Sequence, residues 1–164
     1  MFTYEFCGMI GIKIKDKEEA ILKISTRGRY AFRMMIDLAG HYNDGFVSLK
    51  DISKRQNISK KYLEQIIPFL NRSSLLNANK GHMGGYQLAK PPSKITVREI
   101  LESAEGSLAP VSCMDNTPNL CENCDICPTL PIYEGLYHVI LDYLDGITLQ
   151  DVIDRQSDSS EYHI

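Results

Sequence analysis

Two short helices joined by a three-residue turn restrict the folds that this chain can adopt. Ser48, with Asp51 three residues later, resembles a capping box that begins the first helix, with Asp in place of the usual Glu. Ser59 precedes the second helix, which Pro68 is expected to kink or loosen. The second helix carries apolar residues at three- and four-residue steps, namely Tyr62, Leu63, Ile66, Ile67 and Leu70. With the turn at 56–58, this pattern predicts a helix-turn-helix.

A glycine-rich hairpin is predicted directly after these helices. Strand-like segments at 75–78 and 86–89 flank a loop at 79–85 that contains three glycines. After a helix-turn-helix such a hairpin is a wing, and Pro91 and Pro92 close the unit. A nucleotide-binding loop is disfavoured, because strand-like residues rather than a helix follow the glycines.

Further helices are predicted on both sides of this unit. Ser25 or Thr26 caps a helix running to about Tyr42. A full capping box at 96–99 begins a helix ending near residue 104, and a longer helix is expected from about Pro131 to Asp145. The fold class is therefore mainly α with a small β-hairpin wing: a winged helix-turn-helix plus a long C-terminal helix.

Charge divides the chain into a basic and an acidic part. Positions 22–94 carry 13 Lys or Arg against 4 Asp or Glu, whereas positions 95–164 carry 2 against 13. A basic segment favours a polyanion partner, because neutralised phosphates release counterions, although an ordinary solvated surface is the alternative. We divide the chain into four parts. Residues 1–21 are an extension that is native or a start-site artefact, and residues 22–94 are a winged helix-turn-helix DNA-binding domain. Residues 95–153 contain a helix, the cysteine loop, the long helix and a short helical turn, and residues 154–164 are a disordered tail.

No segment indicates a membrane or an export signal. No apolar run approaches the roughly 20 residues of a membrane span. The first residues, 1–12, lack a basic leader and a small-residue cleavage site. We expect a cytoplasmic protein that does not bind membranes.

The start of the second helix of the pair is the predicted DNA-reading element, because in a helix-turn-helix those residues meet base edges in the major groove. Gln65 can pair bidentately with adenine, and Glu64 can accept from a cytosine amine. A carboxylate facing phosphates costs energy, so Glu64 indicates base reading, the alternative being a surface or intrahelical charge. Lys80, at the wing edge, is a minor-groove candidate. The predicted contacts to double-stranded DNA are Arg27, Arg29, Ser59, Lys60, Lys61, Tyr62, Glu64, Gln65 and Lys80.

Four of the five cysteines form a candidate metal site. Cys113, Cys121, Cys124 and Cys127 are spaced C-x7-C-x2-C-x2-C and are followed by Pro128. The C-x2-C-x2-C part is similar to bacterial ferredoxin ligation, although the usual x3 step to a fourth cysteine is absent. Zinc prefers C-x2-C pairs set further apart, and disulfides are disfavoured without an export signal. We favour an iron–sulfur centre, with zinc and redox-active or idle thiols as alternatives, and take Cys7 as incidental.

These motifs together resemble a known family. Residues 25–31, Ser59 with the segment 62–65, and Gly81 with the segment 84–86 resemble the winged-helix regulators that include IscR, NsrR, RirA and CymR, the Rrf-two family. The resemblance extends from about residue 22 to 153. It implies a homodimer on a palindromic promoter site, with the helix at 131–145 forming the interface, and it implies that Glu64 reads a base.

The resemblance also bears on the cysteines. Cluster-binding members place three cysteines in the loop before the long helix, and Cys113, Cys121 and Cys127 match them. The usual fourth ligands are missing: Leu130 stands where IscR-like members have histidine, and Arg29 lies near the acidic position of NsrR-like members. Cys124 is the natural substitute, so a 2Fe–2S or a 4Fe–4S centre fits. Lys80 stands where IscR has arginine, so minor-groove reading can differ.

Three functions are compatible with these sequence features to different degrees. The first is a homodimeric transcription regulator, expected to be a repressor, whose DNA affinity is set by an iron–sulfur cluster. The cluster senses redox, iron or nitric oxide status, and oxygen can remove it during purification. The second is a clusterless or zinc/thiol regulator that answers to a metabolic partner protein, for example of cysteine metabolism. The third, an electron carrier or iron–sulfur enzyme, is disfavoured because the histidines at 41, 82, 138 and 163 are scattered. We therefore expect no enzyme activity.

Overall fold

Eight main elements make up the computed structural model, which describes residues 23–81, 84–116, 119 and 121–160. They are α1 (Thr26–Gly40), α2 (Leu49–Gln56), α3 (Lys60–Arg72), β1 (Leu76–Asn79), β2 (Gly85–Leu88), α4 (Val97–Glu105), α5 (Leu130–Asp145) and α6 (Leu149–Ser160). Short 3-10 turns lie at Pro92–Lys94, Ser112–Met114 and Cys124–Ile126. This mainly α architecture with one two-stranded hairpin confirms the predicted fold class. Among the described residues, no helix is both long and apolar enough to cross a membrane.

Hydroxyl caps begin four of the helices where the sequence predicts them. Each cap side chain accepts a hydrogen bond from a backbone N–H in the first turn, which has no partner within the helix itself. The caps are Ser25, Ser48, Ser59 and Thr96. Thr96 and Glu99 form both bonds of the capping box. Ser48 instead donates from its hydroxyl to Asp51 Oδ2 over 2.6 Å.

The turn between α2 and α3 fixes the helix-turn-helix. Asn57 adopts the left-handed conformation with φ of 50°, which Asn tolerates better than most residues. Ile58 is buried, and its carbonyl accepts from Ser53 Oγ over 2.6 Å. The helix α3 continues through Pro68 to Arg72. Pro68 is exposed, so the Glu64 carbonyl that loses its i+4 partner lies on the solvent side of the helix.

The main core surrounds α1. Among the described residues, the large fully buried side chains come from every helix except α5 and from the segments just before β1 and α4. Each contributes about 1.5–3 kcal/mol relative to exposure. The largest are Met34, Met35, Leu38, Ile52, Leu63, Ile66, Leu70, Leu75, Ile95, Ile100 and Leu149. A smaller cluster of Val97, Leu101 and Leu108 packs against the inner face of α5. The core therefore joins the predicted DNA-binding half to α4 and α6.

The start of α1 is held by the end of α4. Glu105 Oε1 accepts from the backbone N of Ser25 over 2.9 Å and from its Oγ over 2.8 Å. A carboxylate at this position also interacts favourably with the helix dipole. A Cβ on Gly28 would lie 2.1 Å from the same carboxylate oxygen, so glycine keeps space for this contact.

The wing hairpin pairs in antiparallel register from Leu76 opposite Leu88 to Asn79 opposite Gly85. It is also attached to the segment before α2, because Val47 and Tyr86 exchange two backbone hydrogen bonds of 2.9 Å. A Cβ on Gly85 would lie only 2.3 Å from the Val47 carbonyl oxygen. The predicted hairpin is confirmed, with the strands ending one residue from the predicted bounds.

The prediction of a short helical turn and a disordered tail from residue 154 was wrong within the described residues. Helix α6 continues to Ser160. Leu149 is fully buried, Ile153 packs against the main core, and Gln150 donates to Asp154 Oδ1 over 2.8 Å. The packing of Leu149 and Ile153 stabilises α6, which the polar composition of the segment did not predict. The extension at 1–21 with Cys7, the loop residues 82–83 and the last four residues lie outside the described residues.

Candidate nucleic-acid interface and cysteine loop

One face of α3 brings most of the predicted base-reading side chains together. The residues on this face are exposed, while the opposite face is buried in the core. The exposed set is Ser59, Lys60, Lys61, Glu64 and Gln65. Lys60 Nζ lies 3.6 Å from Glu64 Oε1, and both side chains are more than half exposed. In the free protein Glu64 can therefore either pair with Lys60 or remain available to contact a base.

Tyr62 differs from the other predicted contacts on α3. Its ring is partly buried and meets the ring of Tyr30 edge-to-face, with centroids 5.2 Å apart and planes at 78°. The guanidinium of Arg33 lies 5.8 Å from the Tyr30 ring. Tyr62 thus packs the start of α3 against α1, and its contact with DNA stays a prediction.

Two arginines near the start of α1 are free of carboxylates in the described part of the chain. The guanidinium of Arg27 lies 4.7 Å from the Phe69 ring centroid. Arg29 is exposed and donates to Thr26 Oγ1 over 3.0 Å. Both are available as phosphate contacts, the role that the sequence predicts for them.

A buried ion pair that was not predicted from the sequence fixes α1 to α2. Asp37, whose side chain is only 2% exposed, accepts from Arg55 Nε over 2.9 Å and Nη2 over 2.7 Å, and from Gln56 Nε2 over 3.1 Å. Burial raises the pKa of Asp37, but the hydrogen bonds from Arg55 and Gln56 outweigh it, so that the pKa is lowered. The signal was an Asp within the apolar stripe of α1, beside Leu38.

Lys80 lies at the end of the hairpin, directly after β1, and is exposed. The loop continues through Gly81, which has a φ of 134° that favours glycine. This placement agrees with the predicted wing edge, while the contact with a minor groove is untested.

The cysteine loop, residues 113–127, holds the four predicted metal ligands as free, partly exposed thiols. Two consecutive turns connect three of them: Cys124 N donates to the Cys121 carbonyl over 3.1 Å, and Cys127 N donates to the Cys124 carbonyl over 3.4 Å. Burial and the neighbouring Asp125 raise the pKa of Cys124. A hydrogen bond with Thr129 Oγ1, 3.4 Å away, lowers the pKa of Cys127.

The thiols share one loop but do not form a closed cage. Within the described ranges, no three His, Cys, Asp or Glu side chains lie close enough to hold a metal ion. The donor set nevertheless fits an iron–sulfur centre, which is held by four cysteine thiolates. Its members are unpaired, accessible and confined to fifteen positions. To hold such a centre, the loop would have to bring the four thiols closer together.

Helix α5 follows this loop and carries an apolar stripe that stays exposed among the described residues. Ile132 is 72% exposed, Val139 is 65% exposed and Tyr143 is 66% exposed, with Leu136 between them. These residues recur at helical spacing on one face. The other face carries Tyr137, Leu141 and Leu144, which pack on the smaller core cluster. The outer face is therefore a candidate subunit interface.

Comparisons with known proteins agree on one family. The family model described as "Rrf2: Iron-dependent Transcriptional regulator" matches residues 24–155. The HTH-type transcriptional regulator IscR of Photorhabdus laumondii is 34% identical over 135 residues, which are 82% of this chain and 81% of that protein.

Solved structures give the same result. The IscR of T. potens is 37% identical with a TM-score of 0.67, covering 87% of this chain and 91% of that one. CymR, described as the global cysteine regulator of B. subtilis, is 34% identical with a TM-score of 0.63, covering 82% of this chain and 98% of that one.

Proposed function

This chain belongs to the Rrf2 family of transcriptional regulators. We propose that it is a cytoplasmic, homodimeric repressor whose affinity for a palindromic promoter site is set by an iron–sulfur cluster. The cluster reports redox, iron or nitric oxide status. The observation that carries the proposal is the set of four free thiols on one loop directly before α5. The description of the family as iron-dependent supports it.

All four cysteines of the loop hold the cluster in this proposal. Cys113, Cys121 and Cys127 match the three positions of the family, and Cys124 takes the place of the missing fourth ligand. When bound, the group supplies one-electron redox chemistry and reactivity toward oxygen or nitric oxide. The chain supplies the thiolates and a hydroxyl, since Thr129 lies beside Cys127 at the start of α5.

The exposed face of α3 enters the major groove. Gln65 and Glu64 face base edges, while Lys60 and Lys61 neutralise phosphates or contact guanine. Arg27 and Arg29 contact the backbone, and Lys80 on the wing reaches the adjacent minor groove. The excess of basic residues over 22–94 steers this half of the chain to DNA.

The outer face of α5 forms the dimer, which sets two α3 helices on successive half-sites. Replacing Val139 by Glu places a charge in this apolar stripe and is expected to give a monomer by light scattering after size-exclusion chromatography. His138→Glu is the matched control, because His138 is exposed on α5 outside the stripe. A dimeric Val139→Glu protein would exclude this interface.

A second candidate function is a regulator without a cluster, or with zinc or reactive thiols, that answers to a metabolic partner protein. The likeness to CymR favours it. Both candidates share the DNA-binding half and the dimer. They differ in what the cysteine loop binds.

Iron and acid-labile sulfide content, with the visible spectrum of protein purified without oxygen, distinguishes the candidates. We expect iron and sulfide with thiolate-to-iron absorption bands in the wild type and in Cys7→Ser. Cys124→Ser is expected to lose iron or to change its spectrum. A colourless protein without iron would favour the CymR-like candidate, and zinc without sulfide would favour a zinc centre.

A further inference from the structure

We propose that Phe69 holds Arg27 and Arg72 in a two-arginine phosphate clamp, which grips the DNA backbone beyond the base-reading end of α3. The clamp rests on the proposed DNA-binding function. It adds Arg72 as a DNA contact and Phe69 as a positioning residue, and neither is among the residues that the sequence predicts to bind DNA.

The two guanidinium groups share one aromatic ring. The guanidinium carbon of Arg27 lies 4.7 Å from the centroid of the Phe69 ring, and that of Arg72 lies 5.8 Å from it. Both distances are within the range of a cation–π interaction, which restricts the otherwise flexible arginine side chain. Phe69 thus gathers a residue at the start of α1 and the last residue of α3 at one place.

Arg72 lies on the DNA-facing stripe of α3. It follows Lys61 by eleven residues and Gln65 by seven, so at 3.6 residues per turn the three share one face. All three are exposed, and the buried residues lie on the opposite face. Eleven residues span about 16 Å along a helix axis. Since the major groove is about 12 Å wide, a helix with its first turn at the bases brings Arg72 to the bordering phosphates.

The clamp has no internal counter-charge. Arg55 and Arg98 each bond to carboxylates, but neither Arg27 nor Arg72 has an ion pair anywhere in the described ranges. The Nε of Arg27 is buried and has no hydrogen-bond partner there. Two guanidiniums within about 6 Å of one ring and without a carboxylate partner favour an anion, and phosphate oxygens accept from the planar guanidinium bidentately. The ligand is therefore the phosphate backbone rather than a base edge.

Salt-dependent binding tests the clamp without knowledge of the promoter, because phosphate contacts act on any sequence. The full-length protein is titrated with a mixed-sequence duplex of about 30 base pairs across a salt series, and the slope of log affinity against log salt falls by roughly 0.9 for each phosphate that the protein no longer neutralises. We expect this smaller slope for Arg27→Ala and for Arg72→Ala, with a roughly tenfold weaker affinity at low salt for each. Arg155→Ala on α6 is the charge-matched control, expected to keep the wild-type slope.

Phe69→Leu tests the positioning role, since it keeps an apolar side chain and both charges. It is expected to weaken binding in the wild type but to have no effect in the Arg27→Ala/Arg72→Ala background, with thermal unfolding checking that every variant is folded. Wild-type slopes in the arginine variants would overturn the clamp and leave the DNA-binding function intact. A wild-type protein that binds no duplex would overturn both, and an equal effect of Phe69→Leu in the two backgrounds would overturn the role of the ring.

Discussion

Arg98 in α4 donates from Nη1 to Oδ2 of Asp145, the last residue of α5, over 2.7 Å. The same guanidinium donates from Nε to Glu102 Oε1 over 3.0 Å, within α4. The Thr96 hydroxyl also donates to Asp145, over 3.4 Å. Helix α4 packs against α1 and α3, whereas α5 follows the cysteine loop. The Arg98–Asp145 pair therefore joins the helix after the cysteine loop to the half of the chain that carries α3.

Asp145→Ala is expected to reduce the difference in DNA affinity between cluster-loaded and apo protein. The pair is partly exposed, and such pairs contribute about 0.2–1 kcal/mol, so the ratio of the two affinities is expected to fall by up to about fivefold. Glu102→Gln is the control, because it removes the partner of Arg98 that lies within α4. The affinities of cluster-loaded and apo Asp145→Ala are measured by titration with the same duplex. An unchanged ratio of these affinities would show that the Arg98–Asp145 pair does not couple the cluster to DNA binding.

Asp37→Asn is expected to destabilise the protein by about 2 kcal/mol, less than the 3–5 kcal/mol of a fully buried pair, because Arg55 is 36% exposed. The folded-state pKa of Asp37 is lowered from 3.8, so the unfolded chain takes up the proton first as the pH falls. The contribution of the pair to the free energy of unfolding is thus complete above pH 3.8 and is lost as the pH falls below it. Urea unfolding across this range is expected to show a weaker pH dependence in Asp37→Asn, whereas the exposed Asp142→Asn should behave as wild type.

Gly85→Ala is expected to detach the wing from the segment before α2. The added Cβ would lie 2.3 Å from the Val47 carbonyl oxygen, a backbone atom that cannot rotate away. We expect a decrease of about 2–4 kcal/mol in the free energy of unfolding. Gly40→Ala, at the end of α1, meets nothing within 4 Å and is the matched control. Equal urea midpoints for the two variants would contradict the close contact at Gly85.

Glu64→Ala is expected to relax base preference while strengthening binding to unrelated DNA. In the proposed complex it removes a carboxylate from a helix that faces phosphates, and it removes an acceptor for a cytosine amine. Selection from random duplexes with each protein is expected to show one base position at which the variant discriminates less, by about 1–3 kcal/mol. If the selected sites are identical, Glu64 serves only as the partner of Lys60.

Much of the fold was predictable because its determinants are local. Ser25, Ser48, Ser59 and Thr96 cap their helices through residues within one turn, and the glycine-rich hairpin follows from its own sequence. These patterns depend on hydroxyls, periodicity and turn chemistry, which a sequence displays directly. The exposed face of α3 followed from the same periodicity.

Contacts between distant residues were not predictable in this way. The Asp37–Arg55 pair and the Ser25–Glu105 bonds join residues 18 and 80 positions apart, so the local sequence around one partner does not identify the other. The tail prediction was wrong because Leu149 is buried and the partly buried Ile153 packs against the core around α1, which composition does not reveal. The cluster ligands stay a prediction, since thiols on one loop indicate a donor set but not its closed geometry.

In the proposed function, the state of the cluster sets the affinity of the protein for DNA. The most direct measurement compares cluster-loaded and apo protein from one anaerobic preparation, titrated at a single salt concentration with a duplex selected from random sequences. We expect tighter binding by the loaded protein, and we expect Cys124→Ser prepared in the same way to bind as the wild-type apo protein does. Equal affinity of the loaded and apo forms for that duplex would contradict it.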